Sequence, residues 1–136
     1  FARRFVAGKR VLDAACGEGY GTALLGAHAA SAVGVDIDAP TVAHATARYG
    51  DGARIRFVEG SCAQLPLPDA SVDVVVSFET VEHLVETVQP RMIAEFARVL
   101  APDGLFYALT PAYPHPEAFA DPTHINIITE HTHDYF

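Results

Sequence analysis

Five short apolar bursts recur along this 136-residue chain, at residues 10–14, 31–37, 54–59, 72–78 and 105–110. Segments of helix-forming composition lie between them, at 20–30, 40–49 and 86–100. Buried strands alternating with helices predict a parallel sheet covered on both faces, because a parallel strand is rejoined only by a crossover that packs back onto the sheet. The fold class predicted is α/β, a doubly wound and mostly parallel sheet, in a single domain over residues 1–136. The punctuation agrees with this reading. Pro40 suits the first turn of a helix, which Gly50 and Gly52 close. Val88, Met92, Phe96 and Leu100 stand four apart and give the last helix one apolar face. Residues 60–71 are rich in turn formers, and Ala101-Pro102-Asp103-Gly104 reads as a turn before the fifth strand. Beyond Pro111 proline and histidine dominate, and the pattern of regular elements fades.

Composition narrows the function classes. No apolar run approaches the roughly 20 residues of a membrane-spanning helix, and no leader pattern is evident, so a cytoplasmic protein without a membrane partner is expected. The formal net charge is −8 with a single lysine, Lys9. Such a chain repels a phosphate backbone, so no nucleic-acid partner is expected. Two cysteines, Cys16 and Cys62, fit a reduced compartment better than a disulfide scaffold. The chain begins at Phe1 without an initiator methionine and stops at Phe136, and so reads as a piece of something longer. Oligomeric state is left open.

In open parallel sheets ligands bind outside the carboxyl ends of the strands, where strand order reverses. That rule gathers residues 13–21, 36–38, 60–63 and 77–83 around one cleft. Asp13-Ala-Ala-Cys-Gly-Glu-Gly-Tyr-Gly21 joins the first strand to the first helix, and Gly17, Gly19 and Gly21 allow a tight turn and close ligand approach. Glycines alone would also suit the pyrophosphate of a dinucleotide. Thr22 replaces the usual Gly or Ala of that fingerprint, and Asp13 and Glu18 put negative charge beside the ligand. A sulfonium and an ammonium, the two cations of S-adenosylmethionine, suit such a turn better than a pyrophosphate. Asp36, ending the second strand, can accept from vicinal ribose hydroxyls, with Asp38 as the fallback. A ribose acid is shared with NAD sites. An NAD-dependent oxidoreductase and a non-catalytic S-adenosylmethionine-binding module therefore stand as alternatives.

The runs VLDAACGEGYG, VGVDID, EGSCAQLPLPDASVDVVVSFETVEHL and RVLAPDGLFYALTP, in this order, resemble a class I S-adenosylmethionine-dependent methyltransferase. The nearest flavour is the small-molecule group that includes ubiquinone-pathway and sugar-modifying enzymes, and the likeness covers about residues 8–112. The resemblance implies a Rossmann-like fold and S-adenosylmethionine as cofactor. It implies that Asp13, Gly17 and Gly19 hold the methionine end, that Asp36 holds the ribose, and that Ile37 packs on the adenine. Ser61 and Cys62 would sit at the adenine edge, and Phe78 joins the cofactor set. Ala15 stands where the family often has Gly, a small change, and Ser61 where an Asp commonly accepts from the adenine amino group. The family's sheet closes with a further strand and an antiparallel hairpin. Only residues 111–136 follow the fifth strand here, so those strands are expected to be missing.

Ser77-Phe-Glu-Thr-Val-Glu-His83 follows the fourth strand. A helix starting near Thr80 would place Glu79, Glu82 and His83 on one face through i, i+3 and i+4 spacing. Two carboxylates and an imidazole together can hold a divalent metal, Mg²⁺, Mn²⁺ or Zn²⁺. The run is similar to that of methyltransferases which use a metal to hold a diol or catechol oxygen, among them small-RNA 2′-O-methyltransferases and ubiquinone-pathway O-methyltransferases. There a later histidine completes the site; His124 is the candidate, with His115 in reserve. A metal-free reading stands beside it, in which His83 or His124 is a general base that deprotonates a hydroxyl, an imidazole ordinarily titrating near neutrality. His28 and His44 are expected on helix surfaces, and His131, His133 and Asp134 in solvent. Met92 and Phe96 belong to the core. Glu18 reads as a cap or a contact to the methionine end. Cys16 is no nucleophile, because its neighbours are acids that raise its pKa. The activity expected is methylation of a small molecule, at oxygen.

Overall fold

The computed structural model describes residues 3–135. The five apolar bursts are five strands: β1 (Arg10–Ala14), β2 (Ser31–Asp36), β3 (Ile55–Glu59), β4 (Val72–Phe78) and β5 (Leu100–Leu109). They form one sheet in the order β3-β2-β1-β4-β5, with every neighbouring pair parallel. A short helix, α1 (Arg3–Val6), precedes β1; then come α2 (Tyr20–Gly26), α3 (Ala39–Tyr49), α4 (Gln89–Val99) and α5 (Glu117–Ala120). The order reverses between β1 and β4, so the carboxyl ends of those two strands flank the binding crevice.

The pleat sorts the apolar residues onto the two faces. Leu12, Ala14, Val33, Val35 and Val75 point to one side, where Met92, Phe96 and Val99 of α4 cover them. Val11, Ala32, Val74 and Val76 point to the other, beneath Val6 of α1 and Leu25 of α2. Phe57 of β3 packs on Val42 and Ala45 of α3. Both faces are thus covered, which is what makes the strands read as apolar runs rather than alternating ones.

Four local outcomes differ from the sequence reading. The first helix ends at Gly26, not residue 30: the helix lies so close to the sheet that a Cβ on Gly26 would sit 2.7 Å from the Ile55 side chain, and the chain then returns to bond Ala30 N–H to Lys9 C=O. Residues 101–104 are not a turn ahead of the last strand but a bulge inside it. The register jumps from Val72↔Leu100 to Val74↔Leu105, with Asp103 at φ 61°. The helix expected from Thr80 is only one 3₁₀ turn, Val81–His83, because the chain becomes extended at Leu84 (φ −90°, ψ 133°). Past Pro111 the chain makes an excursion that includes α5 and returns to pair Ala112 with Ile128.

The loop between β3 and β4 is held from outside. Arg98 of α4 donates to the carbonyls of Leu65 (3.1 Å) and Leu67 (2.8 Å) and to Asp69 (2.7 Å), and its Nη2 pairs with Glu95 (2.7 Å). Glu95 in turn accepts from the Leu65 N–H at 2.7 Å. Among the described residues, no helix is long and apolar enough to cross a membrane.

Candidate active site

The β1–α2 turn is built from left-handed residues. Ala15 (φ 60°), Gly17 (φ 52°) and Gly19 (φ 84°) let the chain reverse within five residues, and the Cys16 N–H bonds to the Val35 carbonyl of β2 at 3.0 Å. The two glycines are needed for different reasons. A Cβ at Gly19 would lie 2.6 Å from Phe57 Cε1 and 2.7 Å from Ala45 Cβ, so the core excludes it. A Cβ at Gly17 would meet nothing within 4 Å: the space over this residue is open, as a cradle for a ligand must be. Ala15 is not the small change expected of it, because a left-handed L-residue costs about 1–2 kcal/mol that glycine avoids.

Asp13 is 4% exposed and accepts the Thr22 hydroxyl at 2.6 Å. Burial pushes its carboxyl up to about 6, against the lowering effect of that bond. Thr22, itself fully buried, pins the acid behind the turn. This explains why a hydroxyl occupies a position where the dinucleotide fingerprint has a small residue. Burial, and next the charge of Asp13, push the Cys16 thiol up to about 12, and burial pushes that of Cys62 up to about 11, so neither is a thiolate nucleophile. Glu18 is exposed at the rim.

Asp36 receives the Gly17 N–H on Oδ2 (2.8 Å) and the Asp38 N–H on Oδ1 (3.0 Å), which leaves each oxygen a lone pair toward the cleft. Asp38 is engaged elsewhere: its carboxylate caps α3 by accepting the Thr41 N–H at 3.0 Å. Asp36, not Asp38, is therefore the acid that lines a pocket. Beside it Ile37, Ser61 and Cys62 line that pocket with Leu84, which the sequence did not single out, and Val88, which it marked only as part of a helix's apolar face. Ile37 is 74% exposed, an apolar side chain left at the pocket mouth. Phe78 is placed differently from the others. Its ring packs edge-on against Tyr107 at 6.0 Å, on the α1–α2 side of the sheet, and it is not part of this pocket lining.

At the carboxyl end of β4 the structure brings Glu82, His83 and His124 together, with one donor atom of each within 4.8 Å of the others. Glu79 is exposed and outside this trio; its carboxyl is raised first by desolvation and then by neighbouring Glu82. His124 arrives because the returning chain is tied to the 3₁₀ turn. Ile125 and Asn126 N–H both bond to the Glu82 carbonyl (2.9 and 3.0 Å), and the Asn126 amide reaches the carbonyls of Val81 (3.2 Å), Glu82 and Leu84. Asn126 was invisible to sequence reasoning, since nothing in its neighbourhood announces partners more than forty positions away. His115 lies away from the trio, exposed beside Glu117. His28 and His44 are exposed as expected, and so is His131, flanked by Glu130 and Asp134. The side chain of His133 lies outside the described residues.

A glycine turn, an acid beside a largely apolar pocket, and a strand-order reversal between them mark the open end of an α/β domain. The chain belongs to the methyltransferase-domain family, whose model matches residues 12–108. It is 50% identical over 105 residues to a protein of Mycolicibacterium smegmatis named a probable S-adenosylmethionine-dependent methyltransferase, covering 77% of this chain and 39% of that protein. It is 35% identical over 123 residues to a fatty-acid O-methyltransferase of the same organism, covering 85% of this chain and 43% of that one. The chain thus corresponds to about two fifths of the length of either relative. In fold it is similar to the YcgJ protein of Bacillus subtilis, with a TM-score of 0.81 at 23% identity, over 98% of this chain and 62% of that one.

Proposed function

We propose that this domain binds S-adenosylmethionine and that the protein containing it methylates a small molecule, at oxygen. One observation carries the reading: Asp36, which accepts the N–H of the uncrowded Gly17, lines one pocket together with Ala15, Ile37, Ser61 and Cys62. A nucleoside without phosphate fits such a lining; a pyrophosphate would face the Asp36 carboxylate. Asp36 would hold the ribose, Ile37 and the pocket wall the adenine, and Gly17 with Asp13 the methionine end. Ser61 uses its hydroxyl to accept the Ala63 N–H at 3.1 Å, which leaves its own proton to donate into the pocket.

When bound, the cofactor supplies a methyl group activated by its sulfonium. What remains for the protein is positioning of the acceptor in line with that methyl and removal of a proton from it. We place the acceptor oxygen at Glu82, His83 and His124. The turn that lines the nucleoside pocket through Thr80 and Leu84 also carries two of these residues, which supports the assignment. Likeness to a relative named for O-methylation of a fatty acid supports oxygen as the acceptor atom.

Calorimetric titration with S-adenosylhomocysteine and with NAD tests the cofactor. We expect binding of the homocysteine ligand alone, weakened about 100-fold in Asp36→Ala through loss of charge-assisted bonds. Binding of NAD with no response to S-adenosylhomocysteine would overturn the reading.

A further inference from the structure

We propose that the amino-terminal end of the sheet carries a second ligand site, for one small aliphatic carboxylate, held by Arg56 and the Ser71 hydroxyl. The site follows from the register of three neighbouring strands. Arg10 opens β1 opposite Ser31 of β2, and Val33 of β2 stands opposite Arg56 of β3. Opposed residues of parallel strands share a face, as do alternate residues of one strand, so all four point to the side that α4 covers. Leu67, Pro68 and Ser71, from the loop between β3 and β4, line the same cavity, of about 210 Å³. Asp36 ends the strand that Ser31 begins, which puts this cavity roughly 16 Å from the crevice at the carboxyl ends.

The first ground is a free cation. Among the described residues the Arg56 guanidinium has no ion pair and no hydrogen bond, in a chain of net charge −8, and no acid lines the cavity. The other guanidinium is spent. Arg10 donates from Nη2 and Nε to Asp73 (2.7 and 3.2 Å) and reaches the Ala70 carbonyl only at 3.5 Å. These bonds hold the Asp73 carboxyl down to about 2, so the Arg10–Asp73 pair is neutral as a unit and the cavity keeps one positive charge. The second ground is Ser71 Oγ, which is shielded from solvent and has no hydrogen-bond partner. A hydroxyl left in this way is costly until an acceptor takes its proton. Its position is fixed from both sides: the Ala70 N–H bonds to the Arg98 carbonyl at 3.0 Å, and Val72 pairs with Leu100 of β5.

The lining chooses the ligand. One uncompensated positive charge calls for one negative charge, and the planar fork of a guanidinium matches the two oxygens of a carboxylate. The Ser71 hydroxyl adds a further donor. Val33, Leu67 and Pro68 are apolar, so the rest of the ligand is hydrocarbon, and the volume limits it to a chain of a few carbons. A phosphate dianion would bring twice the charge that the cavity meets. None of these residues belongs to the cofactor or acceptor assignments above, so the site stands independently of them.

The test is calorimetric titration and thermal melting of the purified protein with butyrate, with inorganic phosphate and with butyramide, all at one ionic strength. We expect butyrate to bind at one equivalent and to raise Tm with its concentration, and butyramide to do neither. Arg56 is exposed, so Arg56→Gln should fold as the wild type does and weaken butyrate binding about tenfold. Arg54→Gln, two residues away and paired with Asp51, should leave binding unchanged. Ser71→Ala deletes an unsatisfied hydroxyl, so without ligand it should melt no lower than wild type, yet it should lose several-fold in butyrate affinity. A Ser71 that served only the fold would not give that combination. Equal butyrate affinity in wild type and Arg56→Gln, or a like response to butyramide, overturns the site. Tighter binding of phosphate than of butyrate overturns the choice of a carboxylate.

Discussion

Gly17 and Gly19 stand two residues apart in one turn, and the structure assigns them opposite sensitivities. Both have positive φ, so alanine at either costs about 1–2 kcal/mol in backbone strain. At Gly19 the new methyl also collides with Phe57 and Ala45 at 2.6 and 2.7 Å. Both belong to the α3–β3 core, so relief requires moving a packed aromatic, for another ~1–3 kcal/mol. Gly19→Ala should therefore lose about 2–5 kcal/mol, a large share of the roughly 5–15 kcal/mol that holds a small domain together. Gly17→Ala should lose only the strain, because its methyl enters empty space. That space is the proposed cradle for the cofactor, so the cost appears in binding: S-adenosylhomocysteine affinity should fall at least tenfold in a protein that melts only a few degrees lower. Calorimetry and thermal melts on both variants read the two quantities separately. Equal destabilisation by the two substitutions, or wild-type affinity in Gly17→Ala, would refute the division of labour.

Two further substitutions probe the supports of the cleft. Asp13 has a folded pKa of about 6, above the ordinary value of about 4, so the native state holds its proton more tightly and stability falls as pH rises between about 4 and 6. Asp13→Asn keeps an acceptor for Thr22 and removes that loss; denaturant melts should find it no more stable than wild type at pH 4 but more stable at pH 7, by up to about 3 kcal/mol. A pH-independent difference would show that the acid is not titrating there. Arg98→Ala releases the carbonyls of Leu65 and Leu67 along with Asp69 and Glu95, and should cost about 1–2 kcal/mol and speed amide exchange across residues 61–70. Unchanged exchange in that loop would mean that the clamp does not hold the pocket wall of Ser61 and Cys62.

The cofactor end was legible because its information is local. Strand, turn and helix signals fall within Val11–Gly21, and Asp36 follows the next strand at the position where a parallel neighbour must end. What escaped there was context: whether Ala15 would be left-handed, and that Thr22 serves Asp13, depend on neighbours the turn acquires only after folding. The bulge at 101–104 escaped for a related reason, since Pro102 and Gly104 signal a reversal equally well inside a strand or before one. The other end of the cleft was legible in its residue types but not in its geometry. His83 and His124 meet across forty positions through Asn126, and hydrogen bonds of that span leave no periodicity to read.

Glu79 shows how that geometry turns on one dihedral. A regular helix from Thr80 would have carried Glu79, Glu82 and His83 together on a surface face, where carboxylates stay hydrated and make weak ligands. Instead Glu79 takes φ 50°, and after a single 3₁₀ turn, Val81–His83, the chain becomes extended at Leu84. Glu79 is left exposed, and Glu82 is buried to 1% exposure with neither carboxylate oxygen hydrogen-bonded. Left-handed conformations outside glycine are a cost that persists when the surroundings impose them. Here the imposition is visible: the Glu79 N–H is bonded to the Leu109 carbonyl of β5 at 2.8 Å, and Asn126 ties down the turn beyond it. The same turn lines the pocket of Asp36, Ile37, Ser61 and Cys62 through Thr80 and Leu84. The backbone that bounds that pocket is thus the backbone that carries Glu82 and His83.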